Sequence, residues 1–229
     1  MRTAEINEFL KITISLKRLD KYLTSVDGDL DLALKLYEEN TRLSEAFYTP
    51  LQCLEVSLRN TLNDRLCATY GADWPINGKP PLEEGSKLSI QEILDSFDKN
   101  GWPYDTDSLV AELNFGFWVG LLGKPYDATL WRQTLFKGFQ ATSGKKRSDV
   151  HGRFNALRRF RNRVAHHEPI FDRPLEQLHT EIIEAIAWMC KHTSAWAVSQ
   201  SRFEIVSTTS AEPMPEAPAA APPETGAPS

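Results

Sequence analysis

Arg161, Asn162 and His166 stand in the stretch "RRFRNRVAHHEPIF" (residues 158–171), where four arginines fall within six residues and two adjacent histidines precede Glu168 and Pro169. An arginine and an imidazole a few residues apart suit one reaction well, the transfer of a phosphodiester within RNA. RNA carries its own nucleophile, so a catalyst needs only to take the 2′-OH proton, steady the phosphorane and protonate the leaving 5′-oxygen. Histidine serves both proton transfers because its unperturbed pKa of about 6.5 lies near neutral pH. Arginine serves the phosphorane because its planar fork donates to two oxygens and stays charged. Asn162, one turn before His166, would fix the imidazole or a phosphate oxygen. The products would be a 2′,3′-cyclic phosphate and a 5′-OH end, and no metal or other cofactor is required.

The element that must position these groups is a helix. Starting from Phe154 and advancing about 100° per residue, Leu157, Phe160 and Val164 fall in one apolar sector. Arg158, Arg159, Asn162 and His166 share the opposite side, with Arg161 at the border. His167 swings back toward the apolar sector, which predicts a packing role for it and a site role for His166. Because helix ends shift by a residue or two, His167 stays the alternative. Pro169 disfavours helix at Glu168, so both histidines come at the helix C-terminus, where unpaired carbonyls favour cations. That dipole effect alone would select arginine and histidine there.

Charge distribution adds weight to the chemical reading. Between Lys145 and Arg163 there are eight basic residues and one acid, a local +7 in a chain of net −5, so the remainder carries −12. A basic island in an acidic chain is the electrostatic footprint of a polyanion partner. Lys145, Lys146, Arg147, Arg158, Arg159 and Arg163 are the expected RNA contacts. Glu55, Arg59 and Asn60, polar positions on an otherwise apolar stretch, are candidates for lining the same cleft or for a helix-surface pair.

The rest of the chain reads as helices. "INEFLKITISLKRLDKYL" and "DLDLALKLYEENTRLSEAF" repeat apolar residues at three- and four-residue spacing, and Leu51, Leu54, Leu58, Leu62 and Leu66 form one stripe after Pro50, which marks a start or a kink. "DSLVAELNFGFWVGLL" predicts a central helix. Asp127, Ser148 and Asp172 with Pro174 are expected to open three more, over "ATLWRQTLFKGF", "DVHGRFNALRRFRNRVAHH" and "LEQLHTEIIEAIAWMCKHTSAWAV". "YGADWP" and the segment up to "NGWPYD" read as loops. No stretch shows strand alternation, so the fold class is all-α, a helical bundle.

The 229 residues accommodate one domain and a tail, placed at 1–206 and 207–229. The tail holds six prolines, six alanines and no aromatic residue, and is expected to be disordered. The apolar windows are too short to span a bilayer and the N-terminus has no secretory pattern, so a cytoplasmic protein is expected. Cys53, Cys67 and Cys190 are odd in number and scattered, which argues against disulfides and zinc and for small buried hydrophobes. His151, His179 and His192 lack partners at ligand spacing. Trp74 and Trp102, each before a proline, are expected to pack rather than to stack on bases.

"RNRVAH" is similar to the Arg-x4-6-His motif of the HEPN superfamily of helical RNases. "LKRLDKYL", "GDLDLALKLYEENTRLSEAFYTPLQCLEVSLRN", "YGADWP", "LNFGFWVGLL" and "LRRFRNRVAHHEPIF" follow in the order of the Abi-like abortive-infection proteins, a HEPN branch, over roughly residues 14–190. The resemblance implies a HEPN-like bundle with additional helices, a homodimer, a role in phage defence, and restraint by an RNA or protein antitoxin or regulator. A dimer also answers a chemical need. One chain offers one polar-face imidazole, whereas the reaction asks for an acid and a base, which a two-fold axis would bring into one cleft.

Overall fold

The computed structural model describes residues 2–139 and 146–210. Every regular element among them is helical. α1 (Ala4–Ile14) and α2 (Leu16–Ser25) precede the longest element, α3 (Leu30–Tyr70). Asp29 caps α3 by accepting from the Leu32 amide. At 41 residues α3 is about 60 Å long. The two helices expected on either side of Pro50 are thus one. Pro50 lies buried inside it, and the ladder bond its ring removes is a local loss that packing along the stripe outweighs. The predicted stripe is present: Leu51, Leu54, Leu58, Leu62 and Leu66 are all buried.

α4 (Trp74–Asn77) is a single turn, and α5 (Glu84–Asn100) occupies a region read as loop. Its apolar positions Ile90, Ile93, Leu94 and Phe97 have helical spacing but sit among polar residues, and Gly101 closes it in the left-handed conformation. The expected central helix is two short ones, α6 (Thr106–Glu112) and α7 (Phe115–Gly120). Asn114 breaks it by accepting from the Phe117 amide, and the Trp118 indole donates to the Leu113 carbonyl that the break exposes. Residues 124–138 form 3₁₀ and π turns in place of a helix capped by Asp127.

α8 (Arg147–Ala165) carries the motif, and α9 (Leu175–Ala187), α10 (Lys191–Gln200) and α11 (Phe203–Ser210) complete the fold. Neither Ser148 nor Asp172 caps: Lys146 and Pro174 occupy the cap positions without side-chain bonds. The single helix expected over 175–198 breaks at Cys190, whose backbone is extended and whose Sγ accepts from the Thr193 amide. Cys190 is therefore a cap rather than a filler, and this bonding lowers its thiol pKa. α11 runs across the boundary expected at residue 206, and its Phe203 is buried against Phe47 and His179. Residues 211–229, the rest of the expected tail, lie outside the described residues.

Two cores result. The larger gathers α3 leucines with Trp118 of α7, Phe154 and Leu157 of α8, and Ile182 and Ile186 of α9. The smaller holds Leu19 and Tyr22 of α2 against Ala33 and Leu34 of α3. Among the described residues no helix is long and apolar enough to cross a membrane.

Candidate functional site

α8 is oriented as its sequence predicts, with Val150, Phe154, Leu157 and Phe160 buried against the main core. Its end is specific. The His167 amide donates to the Val164 carbonyl at 3.1 Å and the Glu168 amide to the Arg163 carbonyl at 2.8 Å. This pair of bonds is a Schellman closure, with His166 as the last half-helical residue and His167 in the left-handed position that usually belongs to glycine. His167 has φ 56°. Histidine tolerates that region better than most side chains, at a cost in backbone energy.

Three residues hold the chain as it leaves α8. Arg18 on α2 donates to the carbonyls of His166 and His167, at 3.4 and 3.1 Å. Buried Asn40 on α3 accepts from the Ile170 and Phe171 amides, at 2.6 and 3.2 Å. Arg163 donates to the Pro169 carbonyl and pairs with Glu168. Phe171 then packs on Tyr22, and Lys21 pairs with Asp172. Sequence reading missed Arg18 and Asn40. A polar residue in a run of buried helix positions, as Asn40 is between Leu34 and Leu43, was the available signal.

His167 does not turn to the core. The left-handed turn swings it outward, and it is exposed beside a cavity of about 660 Å³ between α3 and α8. Arg161, Glu55 and Arg59 line the same cavity, with Leu51, Trp118 and Val164 as apolar wall. Arg161 Nε donates to Glu55 Oε2 at 3.0 Å. Both side chains stay partly open to solvent, so this is an inter-helix tie at the cavity edge rather than a sealed ion pair. Arg59 is turned by its bond to Asn60 Oδ1, which itself lies outside the lining. Asn162, half-buried, and His166, exposed, belong to the α8 surface next to the cavity and are not among its lining residues.

The basic island divides. Arg147 pairs with Asp127 and donates to the Leu122 carbonyl at 2.7 Å, with its side chain only 13% exposed. Arg153 pairs with Glu184 and covers the Trp188 ring. The expected RNA contacts Arg147 and Arg163 are therefore internal ties. The charge count missed this because it weighs an arginine's charge and not its fork, which reaches carbonyls and carboxylates several elements away. Lys146 and Arg159 are exposed, and Arg158 points into a second, separate pocket. Lys145 lies outside the described residues.

The remaining candidates do not share one role. Trp74 is fully buried and donates to Asn63 Oδ1, whereas Trp102 is exposed beside Phe97. His179 is buried, bonded to Ser201 Oγ and stacked on Phe203, and burial lowers its pKa. Among the described residues no group of three or more His, Cys, Asp or Glu side chains gathers as a metal site. Comparison of the chain with protein families, with characterised proteins and with solved structures finds no match.

Proposed function

We propose that the chain is a metal-independent endoribonuclease of the HEPN type that leaves 2′,3′-cyclic phosphate and 5′-OH ends and acts as an abortive-infection effector in the cytoplasm. The observation that carries this reading is the convergence of Arg161, Arg59 and His167 on one cavity of about 660 Å³. In it, the two guanidiniums bind the scissile phosphate and the charge that builds on the phosphorane, and His167 moves a proton. His167 replaces His166 as the first candidate for that role, and Arg-x5-His spacing still meets the motif. A second copy of the chain supplies the second imidazole, so the working unit is a homodimer.

The test uses purified chain in EDTA with mixed RNAs, scoring cyclic-phosphate ends. Cleavage should collapse in His167→Ala and survive in His166→Ala, with RNA affinity little changed in both. A second reading, a non-catalytic module that binds RNA or a partner protein, is favoured by the Arg161–Glu55 pair, which occupies one edge of the guanidinium. Binding without any cut ends would select it.

A further inference from the structure

A second pocket, of about 540 Å³, opens between α5, α7 and α8, away from the cavity that holds Arg161 and His167. Its polar lining comes from three elements: His151, Asn155 and Arg158 of α8, Ser86 and Ser89 of α5, and Asn114 at the α6–α7 break. The three α8 residues are spaced i, i+4, i+7 and so share one helix face. Among the described residues no carboxylate lines the pocket, in a chain whose acids outnumber its bases by 31 to 26. An acidic protein that keeps every carboxylate out of a pocket containing a guanidinium has made that pocket attractive to anions.

The donors are also set in advance. Arg158 gives both Nε and Nη2 to Asn155 Oδ1, at 3.2 and 3.0 Å, which fixes the guanidinium plane and leaves Nη1 unengaged by that contact. Using its oxygen this way, Asn155 keeps its amide N–H groups for another acceptor. Asn114 likewise uses Oδ1 to cap α7, leaving its Nδ2 as a donor. On α7, Gly116 and Gly120 lie one turn apart and both line the pocket. A Cβ at Gly120 would meet nothing within 4 Å, so packing does not call for glycine there, although glycine costs a helix about 1 kcal/mol relative to alanine. Its effect is to leave the pocket floor open to the backbone.

We infer that this pocket binds a phosphate group, with Arg158 as the charged anchor and Asn155, His151 and Asn114 as the surrounding donors; Ser86 Oγ shares a hydrogen bond with Tyr126 Oη and the Ser89 hydroxyl donates to the Gly85 carbonyl, so these two shape the polar wall. The group arrives either on a single strand of nucleic acid or as a free phosphate. The inference does not depend on cleavage, since it concerns binding at a site that shares no lining residue with the Arg161 cavity, although α7 and α8 contribute to both.

The experiment is an amide chemical-shift titration of the full chain with sodium phosphate at constant ionic strength, repeated with a short 2′-deoxyoligonucleotide, which the proposed chemistry leaves intact. Saturable shifts are expected at Gly116, Gly120, Ser86 and Asn155. Arg158→Gln should weaken binding by roughly tenfold or more, the factor for one charge-assisted hydrogen bond, and Arg161→Gln, outside the pocket, should leave the shifts of these amides with sodium phosphate unchanged. Ser89→Asp, which adds a carboxylate to the wall without touching the core, should abolish it with an otherwise unaltered spectrum. If the oligonucleotide shifts the same amides and phosphate displaces it, the phosphate arrives on a strand. If phosphate alone acts, it arrives free. Absence of saturable shifts around the pocket with both probes, or equal binding by wild type, Arg158→Gln and Ser89→Asp, overturns the inference.

Discussion

Replacing His167 by glycine should make the protein more stable and less active at once. His167 sits at φ 56° in the closing turn of α8, where a side chain costs about 1 kcal/mol or more in backbone strain. Glycine removes that strain but gains freedom in the unfolded chain, worth about 0.4–1 kcal/mol in the other direction. The exposed imidazole loses little packing, so the net is a stabilisation of up to about 1 kcal/mol, or a rise of about 2–4 °C in Tm for a chain of this size. The neighbouring His166 has φ −92°, an ordinary value. Glycine there relieves nothing and should lower stability by about 0.5–1 kcal/mol. Calorimetry of the two variants thus gives opposite signs from adjacent residues. In the RNA cleavage assay His167→Gly should lose about 10²–10⁴-fold, the usual range for a general acid or base. A His167→Gly protein that melts below wild type would falsify the strain argument. One that cuts RNA normally while His166→Ala is dead would return the chemistry to His166.

Asn40→Ala leaves two amides in the buried turn after the motif without their acceptor, so unfolding free energy measured in urea should fall by about 2–4 kcal/mol. Glu55→Gln removes a carboxylate that competes with phosphate for Arg161; RNA affinity should rise about two- to five-fold in a filter-binding assay, and a fall would mean that Glu55 aligns the guanidinium rather than competing for it. Burial lowers the pKa of His179 in the folded protein, so the unfolded chain binds its proton more readily. That contribution to stability is complete above about pH 6.5 and is lost as pH falls below it, and the slope of Tm against pH over that window should flatten in His179→Gln.

Strong periodicity was legible and its interruptions were not. The α3 stripe and the inward face of α8 follow from spacing alone, because burial of leucine and phenylalanine dominates their energetics. The breaks at Asn114 and Cys190 depend on side chains that cap a following turn, which a hydrophobic pattern does not register. α5 escaped because its surroundings are polar. At the site, Arg161 was placed correctly at the border of the core face. His166 is exposed, as its polar-face position predicts, whereas His167, expected toward the core, is exposed too, because the wheel was continued past the residue where the helix closes and a single left-handed residue there redirects every side chain after it.

α2 alone supplies Arg18 to the carbonyls of His166 and His167, Lys21 to Asp172 and Tyr22 to Phe171. It belongs to the smaller core, whose buried hydrophobic members are four residues. All six tryptophans lie at position 74 or beyond, and those that are buried serve the larger core. Tryptophan fluorescence therefore follows the main body and is silent when α2 lifts. A preparation can pass a fluorescence melt with its histidine turn already undone, whereas the ring signals of Tyr22 and Tyr37, which meet edge to face at 5.3 Å, register the loss.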